Sequence, residues 1–243
     1  MEPQSTECAE SDEEPPSADS PGQSLSTGET QLVASRRQIM QLAVSVEGGL
    51  ILLAIGLAWL FDTDLIAGIR LQPLSFAIGL AASLPMFAVL PLTARSEIPL
   101  LARIREVMDE HLLPWLSPCR LVDLAVLASL AGIAEELLFR AFLQAAIGEW
   151  LGPIWGLGIA SAVFGVVHWI TPGYALLACL AGFYLGGVWL ATGGDTLAVM
   201  LAHGIYDFGA LLILLRWHQE GLLRSHHEAQ DTSNSDANPN PSE

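Results

Sequence analysis

The chain contains no lysine: its ten basic residues are all arginine, so every positive charge is arginine or, at low pH, histidine. Charge of either sign is scarce, 15% of 243 residues, where a soluble domain usually carries about a quarter. That shortage, beside 52% hydrophobic residues, excludes an ordinary soluble domain. No basic, aromatic-interleaved patch exists, and the formal net charge is −16, which excludes nucleic acid as a partner. The three cysteines (Cys8, Cys119, Cys179) are widely spaced, with no C-x-x-C pair, so no disulfide framework or thiol metal site is visible. Cys179 sits in an apolar run and reads as a small buried hydrophobe. Internal repeats, strand-to-helix Gly-rich loops and the H-E-x-x-H spacing of ordinary zincins are all absent. Residues 1–35 are acidic, lack an apolar core and do not resemble a signal peptide.

Half of the 26 acidic residues lie at the two ends. Residues 1–35 hold eight acids and no arginine, and residues 217–243 hold five acids against Arg224. Both segments are rich in polar residues without a plausible core, which predicts disorder over 1–35 and 219–243. The body between them, 36–218, carries apolar runs of the length a membrane span needs, roughly 20 residues. Six are expected: about 39–60, the uncharged interval between Arg70 and Arg95, 122–147, 152–170, 174–192 and 196–215. Thr171-Pro172-Gly173 divides the fourth from the fifth. With the N-terminus inside, Arg36, Arg37, Arg95, Arg103, Arg105, Arg120, Arg216 and Arg224 fall on the cytoplasmic side and only Arg70 opposite. Both termini are therefore expected in the cytoplasm. Between spans two and three, Leu100, Leu101, Ile104, Val107, Met108, Leu112 and Trp115 recur at helical spacing. This predicts an amphipathic helix over 97–116, lying on the cytoplasmic surface or packed on the bundle. The fold class is all-α: a polytopic membrane helical bundle of about six spans with one interfacial helix.

Three spans carry ionisable residues, which are costly at bilayer depth and rarely persist there without a function. Span three holds Glu135, Glu136 and Arg140; span four holds His168; span six holds His203 and Asp207. Residues four apart share a helical face, so Glu136 and Arg140 can pair, whereas Glu135 points about 100° away without a partner in its own helix. Such a carboxylate suits general acid–base work. Asp207 can orient His203 or pair with Arg140. By rise per residue Glu135 and His203 lie near mid-bilayer and His168 nearer the cytoplasmic end, so a tilted helix or a cavity open to the cytoplasm must bring them together. The plainer reading of any one of these groups is interhelical glue. Glu47 in span one reads as structural or cavity-lining. His111, His218, His226 and His227 read as bystanders, and Gly156, Gly158, Gly165, Gly182, Gly186 and Gly187 as sites of close helix approach.

Glu-Glu-x-x-x-Arg, then Phe-x-x-x-His (Phe164, His168), then His-x-x-x-Asp, each on its own span, resembles the CPBP family of intramembrane proteases. This family, also called Abi or CAAX-protease-like, includes the type II CAAX prenyl endopeptidases. The resemblance covers about 120–216. It implies that Glu135 acts with His168 to activate water for attack on a peptide carbonyl. Glu136 and Arg140 would shape and balance the site, and His203 would help stabilise the oxyanion. The position four after His203 is commonly Asn in prenyl endopeptidases and is Asp207 here. An ionised Asp cannot donate to an oxyanion, which makes it a partner of His203 or Arg140 instead. Glu135, His168 and His203 could also supply a two-His, one-carboxylate set to a divalent metal such as zinc; water activated by glutamate without an obligatory metal is the favoured alternative. The expected function is an intramembrane endopeptidase, embedded in the bilayer and acting on a membrane-associated peptide, lipidated or not. The competing readings are a non-catalytic membrane scaffold or immunity protein, and a proton-coupled transporter using Glu135 and Asp207 as relays.

Overall fold

The computed structural model describes residues 35–237, all helix and connecting turns without a strand among them. The acidic segment 1–34 and residues 238–243 lie outside the described residues. Nine α-helices follow in order: α1 (Arg36–Phe61), α2 (Pro73–Arg95), α3 (Pro99–Val107), α4 (Leu113–Leu116), α5 (Leu121–Glu136), α6 (Ala145–Leu151), α7 (Pro153–Val167), α8 (Pro172–Ala191) and α9 (Thr196–Ala237). Two π turns join them, Met108–Leu112 between α3 and α4 and Leu137–Gln144 between α5 and α6.

Among the described residues four helices are long and apolar enough to cross a membrane: α1, α2, α8 and the first part of α9, Thr196–Leu223. The expected third span is one rod running from Leu121 to Leu151, helical throughout and widened by the π turn. The expected fourth, α7, is only 15 residues long. The surface is that of a membrane bundle, apolar outside and polar within. Trp59, Leu71 and Ile154 are exposed, while Arg140, Glu136 and Gln144 are fully buried.

Local chemistry sets where each helix begins. Ser35 caps α1 in a reciprocal box with Gln38, whose side-chain oxygen accepts from the Ser35 amide at 2.8 Å. Thr171 accepts from the Tyr174 amide at 3.1 Å and starts α8 ahead of Pro172. Gly152, at φ 96°, makes the tight reversal into Pro153 that a residue with a Cβ would resist. Buried Asp195 caps α9 by accepting from the Ala198 amide at 3.1 Å, and Ser75 of α2 donates to its other oxygen at 2.6 Å. This locks the depth of α9 against α2, and with it the depth of His203.

The amphipathic stretch packs on the bundle. Leu113 and Leu116 bury with Ile39, Leu124 and Leu215. Arg36 makes a two-pronged pair with Asp123, in which its Nη2 donates to Oδ1 at 2.6 Å, fastening the start of α1 to the start of α5. Residues 219–237 continue α9 as helix.

Candidate active site

The π turn decides how the third span presents its polar side chains. A π turn inserts an extra residue per turn and is common at functional sites. Within it, Arg140 and Gln144 both face α8. Arg140 Nη2 donates to the Gly182 carbonyl at 3.2 Å, and Gln144 Nε2 donates to the Gly186 carbonyl at 3.0 Å. The two bonds form successive rungs, four residues apart on both helices. A Cβ at Gly186 would stand 2.5 Å from Gln144 Oε1, so close approach is obligatory there. The expected close approach also holds at Gly156 and Gly165, whereas Gly158 and Gly187 face open space.

The six ionisable residues singled out in the sequence converge. Arg140 Nε stands 3.2 Å from Glu136 Oε2, in keeping with their four-residue spacing. The other oxygen of Glu136 reaches across to α9, where Oε1 lies 2.9 Å from His203 Nδ1. Because a carboxylate only accepts, that nitrogen carries the proton, which directs Nε2 of His203 toward Glu135 and Asp207. Asp207 Oδ2 is 3.4 Å from Nε2. Asp207 is thus a partner of His203 and makes no pair with Arg140, which is buried on the far side against Glu136, Gly182 and the Phe164 ring.

His168 follows the last residue of α7, where the helix stops. Its Nδ1 donates to the Phe164 carbonyl at 2.8 Å, and its ring stacks on Phe164 with centroids 4.4 Å apart. Its Nε2 is thereby aimed at Glu135 Oε2, 3.6 Å away, while His203 Nε2 stands 3.9 Å from the same oxygen. The expected mismatch in depth disappears because α7 is short: its C-terminal end lies beside Glu135. Among the described residues no group of three or more His, Cys, Asp or Glu is arranged to hold a metal ion. No step below passes through a metal.

Asp207 opens onto a cavity of about 940 Å³ between α2, α3, α8 and α9. Its walls are apolar, with Met86, Leu101, Leu177 and Leu211 among them; Tyr174 and Tyr206 also line it, and Arg105, Asp109, His218 and Glu220 add charge. His218, expected to be a bystander, stands 3.4 Å from Asp109. Two contributors were not singled out from the sequence. Gln144 carried a signal, being an amide in an apolar run four residues beyond Arg140. The double role of Glu136 carried none, since nothing local announces a bond to a residue 67 positions away.

No curated protein and no solved structure matches the chain. Residues 117–209, which contain all six of these side chains, match the family model described as Rce1-like, type II CAAX prenyl endopeptidase Rce1-like; over that segment the chain is similar to the CAAX-protease-like family.

Proposed function

We propose that the protein is an intramembrane endopeptidase in which Glu135 and His168 activate water and His203 stabilises the oxyanion. The observation that carries this reading is the convergence of three atoms, Glu135 Oε2 and the Nε2 atoms of His168 and His203, with the second nitrogen of each imidazole already fixed. Separations of 3.6 and 3.9 Å exceed a hydrogen bond, and they suit groups that share a third oxygen rather than one another.

In the reaction, water held by Glu135 and His168 attacks the peptide carbonyl while its proton passes to Glu135. A bond forms between the water oxygen and the carbonyl carbon, and the carbonyl oxygen becomes an oxyanion. His203, flanked by Glu136 on Nδ1 and Asp207 on Nε2, is placed to be an imidazolium whose Nε2–H faces that oxyanion. Collapse breaks the C–N bond as Glu135 returns the proton to the leaving amine. The products are a carboxylate and an amine, so protons and electrons balance without a redox partner. Glu136 and Arg140 hold His203 in orientation and compensate each other's charge.

The substrate is a peptide at or within the bilayer, and the apolar cavity beside Asp207 is its route to the site. The arginine distribution supports a cytoplasmic location for both termini and for the cavity mouth. The test is cleavage of membrane-anchored and prenylated peptides by purified protein, beside Glu135→Gln and His168→Ala, with and without chelator. Cleavage lost in both variants and unchanged by chelator is the expected result. Variants that match wild type while still complementing a deletion strain would replace the enzyme with a scaffold.

A further inference from the structure

Of the six side chains that converge at the site, Asp207 alone lines the cavity between α2, α3, α8 and α9. Its side chain is 30% exposed, against 10% for Glu135 and 9% for His203. A substrate that comes through the cavity therefore meets Asp207 before any other member of the cluster. Asp207 Oδ2 also lies 3.4 Å from His203 Nε2, the nitrogen that faces the oxyanion in the proposed reaction. A side chain beside the scissile carbonyl is thus brought within reach of this carboxylate.

Charge at this inner end of the cavity is not balanced. Three carboxylates, Glu135, Glu136 and Asp207, face two cations, Arg140 and an imidazolium at His203. With His168 neutral, one negative charge is left over. The other charged groups on the cavity wall are Arg105, Asp109, His218 and Glu220. His218 stands three turns beyond Asp207 on α9, about 16 Å farther along, and marks the rim. It is 3.4 Å from Asp109, and Arg105 Nη1 donates to the Ser96 carbonyl at 2.8 Å, so both basic groups of the rim are engaged away from Asp207. Between the two ends the wall is apolar, and there the charge of Asp207 is only weakly screened. Tyr174 and Tyr206 line the same cavity, and aromatic rings favour a cation over an anion.

We propose that Asp207 is a specificity-determining residue of the hydrolysis: its carboxylate favours substrates with a basic side chain next to the bond that is cut and rejects those with an acidic one there. The apolar stem of a lysine or arginine suits the cavity wall while its head meets the carboxylate. An acidic side chain in the same place sets like charges together in an apolar cavity. The proposal names the substrate class of the site described above, and it rests on the reading of Glu135 as the base and His203 as the oxyanion partner.

The experiment takes a membrane-anchored peptide that wild type cleaves, with the cut bond located by mass spectrometry. Lysine, methionine or glutamate is placed at each residue flanking that bond in turn. The ratio of kcat/KM between peptides is then measured for wild type, Asp207→Asn, Asp207→Glu, Asp109→Asn and Glu135→Gln. At one flanking position wild type is expected to favour lysine over glutamate by about tenfold or more, with methionine between. Asp207→Asn brings that ratio to within about threefold of unity, and Asp207→Glu restores it. Asp109→Asn, at the rim, leaves it in place. Because the ratio is taken within each variant, a general loss of activity from a less well oriented His203 cancels. Should Asp207→Asn cut nothing, the same peptides compete with a fluorescent one for binding to Glu135→Gln, with and without Asp207→Asn. The lysine peptide is then expected to bind more tightly than the glutamate peptide only where Asp207 is present. A wild-type ratio near unity or favouring glutamate, a lysine preference that survives Asp207→Asn, or one that Asp109→Asn abolishes as fully, overturns the role of Asp207 and leaves proteolysis standing. If wild type cleaves no peptide, or Glu135→Gln cleaves as wild type does, the proteolytic reading falls and takes this proposal with it.

Discussion

Two arginine–carboxylate pairs tie this bundle together, and the one with the better geometry does the humbler work. At the rim, Arg36 grips both oxygens of Asp123 and staples α1 to α5, with the guanidinium half-exposed. In the interior, Arg140 meets Glu136 at 3.2 Å with neither group more than 1% exposed, yet its Nε and Nη1 make no hydrogen bond. A buried pair that existed for stability would be expected to satisfy its donors, because an imperfect one does not recover its desolvation cost. The interior pair is imperfect because each member also serves something else: Glu136 holds His203, and Arg140 reaches Gly182. Good pairing marks the structural contact, and shared pairing marks the site.

That contrast can be broken most directly at Glu136. Glu136→Gln keeps the shape but removes the charge that favours a cationic His203, and we expect peptidase activity to fall by on the order of 10²–10⁴. A variant with near wild-type turnover would reduce Glu136 to a counterion. Next in size is Arg140→Met, which leaves Glu136 buried without its cation and should destabilise the protein by about 3–5 kcal/mol, read by thermal unfolding in detergent. Arg36→Ala at the rim should cost much less and lose most of its effect at high salt. Equal losses at the two arginines would end the comparison.

A smaller effect is expected from Gly186→Ala, whose Cβ meets Gln144 Oε1 at 2.5 Å and Leu157 Cδ1 at 2.6 Å. Overpacking of this kind costs about 1–3 kcal/mol and here would press on the rung beside Arg140. Gly187→Ala, one residue on and facing open space, is the control.

The smallest effect concerns Cys119, in the turn before α5. Burial first, then the Asp123 carboxylate, push its thiol above the ordinary range, while Arg36 pulls it down. Arg36→Ala should therefore move the midpoint of Cys119 alkylation to higher pH and slow labelling at neutrality, as followed by mass spectrometry. An unmoved midpoint would mean that the rim pair is not formed in solution.

Much of this was readable from the chain. Helices occupy all six of the apolar runs, and among the described residues four of them are long and apolar enough to cross a membrane. Glu135, Glu136, Arg140, His168, His203 and Asp207 meet as the three motifs suggested. What stayed hidden has physical causes. The π turn leaves no mark in a 3.6-residue periodicity, so the alignment of Arg140 and Gln144 on Gly182 and Gly186 could not be anticipated. Whether Asp207 chose His203 or Arg140 depended on which side of the π turn Arg140 emerges.

The brevity of α7 has a consequence for the lipid around it. Fifteen residues rise about 22 Å, against a hydrocarbon thickness of about 30 Å. Trp155 near its start and Trp169 just past its end are both exposed, at the positions where indole rings settle at the headgroup level. Were α7 to cross the bilayer, these two indoles would sit closer together along the normal than the hydrocarbon thickness. Acyl chains next to α7 must splay or shorten to match. A bilayer crossed by α7 would thin on that flank and bring water closer to a segment lying beside it.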